Sequence, residues 1–129
     1  MKADLFHCFA NGSLAASGNQ WALADAPWTE HKDFPGVFLK NLAGPELTQG
    51  LLICHLVRIE ALQKIGRHTH GQRLELHEVM AGSGVCRTPE GEIAYAPGVM
   101  AVLPANVPHE VRAGEQGLCL FAKFVTLPA

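Results

Sequence analysis

From residue 34 onward, apolar and polar residues alternate in short runs, without helical spacing. A period of two marks a strand that turns one face to a core. The pattern predicts strands over residues 36–42, 51–60 (LLICHLVRIE), 74–81, 84–88, 92–96, 99–103, 109–112 and 118–125. Gly44-Pro45, Pro89-Glu90-Gly91, Pro97-Gly98 and the 114–117 segment separate several of them. Regular short strands divided by such turn signals predict an all-β sandwich or barrel. No segment keeps a helical period beyond two turns. Residues 1–34 differ: the stretch 10–19 (ANGSLAASGN) is rich in small and turn-forming residues and has no sustained period. We read 1–34 as an N-terminal arm, docked by Trp21 and Trp28 on a β domain over 35–129.

Some strands are apolar on both faces. Over 74–81, Glu75, His77 and Val79 share one side, while Leu74, Leu76 and Met80 share the other. An apolar outer wall needs a cover, supplied by the arm or by a second subunit, and a homodimer is the leading expectation.

Composition narrows the class. A chain of 129 residues with 48% hydrophobic content suits one packed domain. Its 17% charged residues fall below the usual figure of about 25%, consistent with covered surface. The formal net charge is −2, and the cations are scattered singly from Lys2 to Lys123. Nucleic-acid binding needs clustered cations, so no nucleic-acid partner is expected. No apolar run approaches the roughly 20 residues of a membrane-spanning helix, and no membrane association is expected. Asp4 and His7 interrupt any signal-peptide core. Cys8, Cys54, Cys86 and Cys119 are widely spaced and form no CxxC pair, which predicts a reduced, cytoplasmic protein.

Five of the seven histidines fall between positions 55 and 109. His68-Thr69-His70 is followed by Glu75, with His109 downstream. On an extended chain, residues i and i+2 point the same way about 6.5–7 Å apart. Two imidazoles so placed, a carboxylate on the next strand and a third imidazole from a distant strand can converge on one ion. Imidazole and carboxylate suit a divalent transition metal such as iron, manganese, zinc, nickel or copper. Taken alone, an HxH pair is more often a pair of hydrogen-bonded core or surface residues.

The order of these residues resembles that of the cupin superfamily. The run Leu62-QKIGR-His68-Thr69-His70-GQRL-Glu75-LHEVMA-Gly82 is similar to the first cupin motif, G-x5-H-x-H-x(3,4)-E-x6-G. The run Gly98-VMAVL-Pro104-Ala105-Asn106-Val107-Pro108-His109-EVR-Ala113 is similar to the second, G-x5-P-x-G-x2-H-x3-N. Leu62, Asn106 and Ala113 depart from the motifs. Asn106 can keep a left-handed turn, and Leu62 and Ala113 are not ligand positions. A weaker likeness joins residues 28–42 to the start of cupin domains in some anti-sigma factors and related small bacterial proteins. The resemblance implies a double-stranded β-helix, or jelly-roll barrel, often dimeric. It also implies one divalent metal ion held by His68, His70, Glu75 and His109.

Other residues carry less specific expectations. His77 shares a strand face with Glu75 and is a candidate acid–base or supporting group. His55 is expected to be structural. Arg73 could reach a substrate carboxylate, although a solvated loop cation is the plainer reading. Tyr95, Met100 and Phe121 are expected in the core, and Cys86 and Cys119 are not expected to be redox groups. Two functions fit this pattern. One is a metal-dependent enzyme on a small organic substrate, of dioxygenase or isomerase type, with Glu75 and His77 as catalytic residues. The other is a non-enzymatic sensor of a small molecule or metal, acting through a protein partner.

Overall fold

The computed structural model describes residues 4–128. Helix α1 (Leu5–Ala10) opens the chain and is capped by Asp4, whose carboxylate accepts from the His7 N–H at 3.2 Å. A hairpin follows, β1 (Ser13–Ala16) and β2 (Asn19–Ala22), closed by Ser17 and Gly18 at φ 52° and 80°. Two successive positive-φ residues match the twist of a two-residue hairpin. After a 3-10 turn (Leu23–Asp25) come β3 (Trp28–Glu30), β4 (Val37–Ala43), a one-turn α2 (Pro45–Thr48) and β5 (Leu52–Ile59). The chain then forms β6 (Lys64–His68), β7 (Arg73–Thr88), β8 (Gly91–Tyr95), β9 (Met100–Leu103) and β10 (His109–Thr126).

All the strand pairs are antiparallel, and the main sheet runs β3-β4-β5-β10-β7-β8, with β6 on β10 and β9 on β7. The long strands β7 and β10 each belong to two layers. The C-terminal half of β10 lies between β5 and the start of β7, while its N-terminal half lies between β6 and the end of β7. The result is a jelly-roll β-barrel.

Side-chain parity shows how each long strand turns the corner. In β10, the odd positions His109, Val111 and Ala113 are buried, and after 114–117 the even positions Leu118, Leu120, Ala122 and Phe124 take over. In β7, Glu75, His77 and Val79 face inward, but beyond the break Cys86 does. The register with β10 shifts between Ala113 and Leu118. Gly82 sits at that shift with φ +79°, and a Cβ there would lie 2.1 Å from the Gly117 carbonyl oxygen. The barrel core around Val37, Ile59, Leu103, Val111 and Leu120 is fully enclosed. The sequence pattern reads each long strand as two, because alternation breaks at the glycines while the backbone pairing continues.

The arm differs from its expectation in content. It contains a helix, a hairpin and an edge strand, each too short to leave a readable period. Phe6 and Ala10 of α1 bury Leu56 on the outer wall, with Trp28, Met80, Cys119 and Phe121 packed against them. Lys40 is buried beneath this layer and donates from Nζ to the Ala10 carbonyl at 2.6 Å, closing the helix end onto the barrel. The arm therefore covers the Met80 side of the apolar wall. Trp28 anchors as expected, stacked 5.8 Å from Phe6. Trp21 does not, being 41% exposed on the hairpin. Met100 also departs from expectation: it is 62% exposed on the outer face of β9, because the inward positions of that strand are Ala101 and Leu103.

Leu62 occupies the first motif's glycine position with φ +63°. A side chain in this left-handed conformation costs roughly 1 kcal/mol, and Leu62 is solvent-exposed, so no packing offsets it. Leu62→Gly is accordingly expected to leave stability unchanged or raise it by up to about 1 kcal/mol. Gly82→Ala, with its impossible backbone approach, is expected to cost more than about 2 kcal/mol or to prevent folding. Urea unfolding of the two variants beside the parent checks both signs.

Candidate metal centre

His68 ends β6 and pairs in register with His109, the first residue of β10. Their ring centroids are 4.3 Å apart. His70 lies beyond the strand in the turn before β7, and its ring meets that of His68 edge-on at 4.6 Å. The HxH pair therefore converges at a strand end and turn, closer than two residues on one strand face would. Glu75 projects inward from β7 beside both. One donor atom from each of His68, His70, Glu75 and His109 lies within 4.8 Å of all the others. This group could hold a metal ion, since nitrogen and oxygen ligands gather at about 2.0–2.2 Å from such ions.

The hydrogen bonds orient these donors. His68 donates from Nδ1 to the Gly66 carbonyl at 2.7 Å, and His109 donates from Nδ1 to the Val107 carbonyl at 3.2 Å. Each ring, when neutral, then has a bare lone pair on Nε2. The Nε2 of His109 stands 3.0 Å from Glu75 Oε1, and both atoms are buried with no hydrogen-bond partner. Two lone pairs facing each other in a dry site cost free energy unless a cation or proton lies between them. His70 Nε2 approaches the same carboxylate oxygen at 3.5 Å. The donor set, its burial and its two orphaned atoms all fit a divalent ion.

Glu75 divides its two oxygens. While Oε1 faces the cluster, Oε2 accepts from His77 Nε2 at 2.7 Å, and His77 Nδ1 is 2.8 Å from the Tyr95 hydroxyl. His77 Nε2 donates to the carboxylate, and its Nδ1 shares a hydrogen bond with the Tyr95 hydroxyl. Burial alone would raise the Glu75 carboxyl, but His109 and His77, wherever a ring N–H faces the carboxylate, outweigh it and hold the group well below the usual carboxylate range. Burial pushes His68 and His70 below the ordinary histidine value, which favours the neutral, ligating form. Burial also drives the Tyr95 phenol well above its usual range, so it stays a donor.

A cavity of about 190 Å³ opens on the cluster, with His68, His70, Glu75 and His77 in its wall. His31, His55 and Arg73 line it together with Leu39, Val57, Ile65 and Phe124. Phe121 lies instead on the outer wall, edge-on to Phe9 of the arm at 5.4 Å. Tyr95 is buried, with its hydroxyl turned to the site. The four cysteines are free, and none joins the cluster.

A family model of the AraC-like ligand-binding domain matches residues 50–128. The chain belongs to that family, within the cupin superfamily. This cupin superposes with TM-score 0.74 on a predicted oxalate decarboxylase from Thermotoga maritima, at 15% identity over 81% of this chain and 96% of that one. KdgF from a Halomonas species gives 0.69 at 19% identity, covering 81% and 90%. A cupin-2 domain from Rhodospirillum rubrum gives 0.71 at 17% identity, covering 86% and 76%. At these identities the likeness is one of fold. No curated protein matches the chain's sequence. Among the described residues of this cupin, no helix is long and apolar enough to cross a membrane.

Sequence reasoning missed His31, which belongs to the arm and has no motif around it. His55, expected to be structural, packs 5.2 Å from Phe124 and lines the cavity. Burial pushes His55 down to about 4. A histidine depressed when folded binds fewer protons than in the unfolded chain, so stability present at pH 7 is lost as pH falls from about 6.5 towards 4. For His55 alone the loss reaches about 2 kcal/mol at pH 5. Thermal unfolding of chelator-treated protein should therefore show a fall between pH 7 and 5 that His55→Phe makes shallower.

Proposed function

We propose that this cupin is a metal-dependent enzyme acting on a small organic substrate, of dioxygenase or isomerase type. The observation that carries the reading is the buried contact between Glu75 Oε1 and His109 Nε2, 3.0 Å apart with neither atom hydrogen-bonded, at a cavity. His68, His70, His109 and Glu75 would hold the ion, one divalent iron, manganese, zinc, nickel or copper. Such an ion, when bound, supplies a Lewis acid and open positions for substrate oxygen or dioxygen.

The protein's own groups do the rest. The backbone carbonyls of Gly66 and Val107 fix the His68 and His109 rings, as partners behind a ligand usually do. Glu75 and His77 are proposed as the catalytic pair: the proton between Oε2 and Nε2 can move toward either partner while Tyr95 keeps the His77 ring in place. Leu39, Val57, Ile65 and Phe124 keep the remaining wall dry.

A second reading has its own support. The family model describes ligand binding, which suits a small-molecule or metal sensor acting through a protein partner. Exposed Met100 and Val102 on β9 support a homodimer in either case. The free cysteines agree with a reducing, cytoplasmic setting.

Metal analysis of untagged protein by mass spectrometry tests the centre. We expect near one ion per chain, falling at least tenfold in His68→Ala and in His109→Ala, with dioxygen uptake or substrate isomerisation lost on chelation. Metal retained in both variants would refute the assignment. Stoichiometric metal with ligand-dependent partner binding and no turnover would favour the sensor.

A further inference from the structure

The connection between β3 and β4 carries His31 to the cavity, outside the residues that the family model matches. This connection is tied at several points. The His31 N–H donates to the Val37 carbonyl at 2.7 Å, and the Gly36 N–H donates to Glu30 Oε2 at 3.0 Å. The ring stacks 4.8 Å from Phe34, which in turn lies 6.3 Å from His68. The Asp33 N–H donates to His31 Nδ1 at 3.0 Å, so the neutral ring carries its proton on Nε2. His31 is thus a fixed hydrogen-bond donor on the cavity wall. Arg73, at the start of β7, lines the same cavity and brings a permanent positive charge.

Besides the candidate ligands and His77, the polar residues of this wall are His31, His55 and Arg73. Glu75 Oε2 accepts from His77, while Oε1 and the His68, His70 and His109 rings are the group that would be occupied by an ion. Arg73 and His31 then offer donors, and a ligand must supply acceptors. The facing surface, Leu39, Val57, Ile65 and Phe124, is apolar. The cavity's 190 Å³ is below the roughly 300–1,000 Å³ of sites for drug-sized ligands, which limits the occupant to a few heavy atoms.

We infer that the cavity takes a short aliphatic carboxylate, with Arg73 and the arm residue His31 on its carboxylate oxygens and its hydrocarbon body on the apolar wall. The inference rests on the metal-centre reading for the position of the reacting end, but the carboxylate contacts are independent of the ion. The N-terminal arm then completes the binding site as well as covering the outer wall.

The test is a titration of zinc-loaded and metal-free protein with 3-methyl-2-oxobutanoate and with its uncharged counterpart 3-methyl-2-butanone, followed by calorimetry and by chemical-shift changes. The variants are Arg73→Gln and His31→Asn, the second chosen because an Asn side chain can still accept from the Asp33 N–H. The acid should bind at least tenfold tighter than the ketone. Each variant should lose about tenfold for the acid at unchanged zinc content and unchanged unfolding temperature. Equal binding of acid and ketone, unaltered affinity in both variants, or no acid binding to either form would overturn the proposal. Failure of the metal reading has a different signature: the wild-type chain takes up no zinc, while the preference for acid over ketone persists in metal-free protein.

Discussion

One buried contact of the candidate centre leaves both of its atoms without a hydrogen-bond partner. Glu75 Oε1 and His109 Nε2 meet at 3.0 Å in a buried site, and the His109 proton is already given to the Val107 carbonyl. Folding brings these atoms together because they sit on the two strands that build the barrel. Glu75 lies on β7 and His109 on β10, and both point inward by the parity of their strands. The barrel thus concentrates lone pairs that water cannot reach. A divalent cation would remove the penalty at once and would link the stability of the fold to occupancy of the site.

The parity changes in β7 and β10 are what make this geometry possible. Without the 114–117 interruption, a β10 strand with His109 inward would also turn Cys119, Phe121 and Lys123 inward. The wall of Leu118, Leu120, Ala122 and Phe124 would then face solvent. Gly82 allows the matching break in β7, where no side chain fits against the Gly117 carbonyl. One local device therefore lets His109 and the Leu118–Phe124 wall face inward on the same strand.

Much of this was legible in the sequence. The alternation and turn signals give an all-β barrel, and the HxH, Glu and downstream His in cupin order bring together the four residues that cluster. What was not legible lay where periodicity fails. The long strands read as pairs because glycine breaks the alternation without ending the pairing. β6 was unread because its five residues (KIGRH) do not alternate cleanly. The arm's elements span three to six residues, too short to leave a readable period. The cavity role of His31 depends on the β3–β4 connection folding back beside His68, a long-range relation that no local pattern carries.

The central claim is that three imidazoles and one carboxylate share a single ion. X-ray absorption at the metal edge of stoichiometrically cobalt-loaded protein tests it most directly. The account predicts a first shell of nitrogen and oxygen only, with the outer-shell scattering of three imidazole rings, reduced to two in His109→Ala. A sulfur scatterer in the first shell, or a spectrum with fewer than two imidazoles in the parent protein, would contradict it.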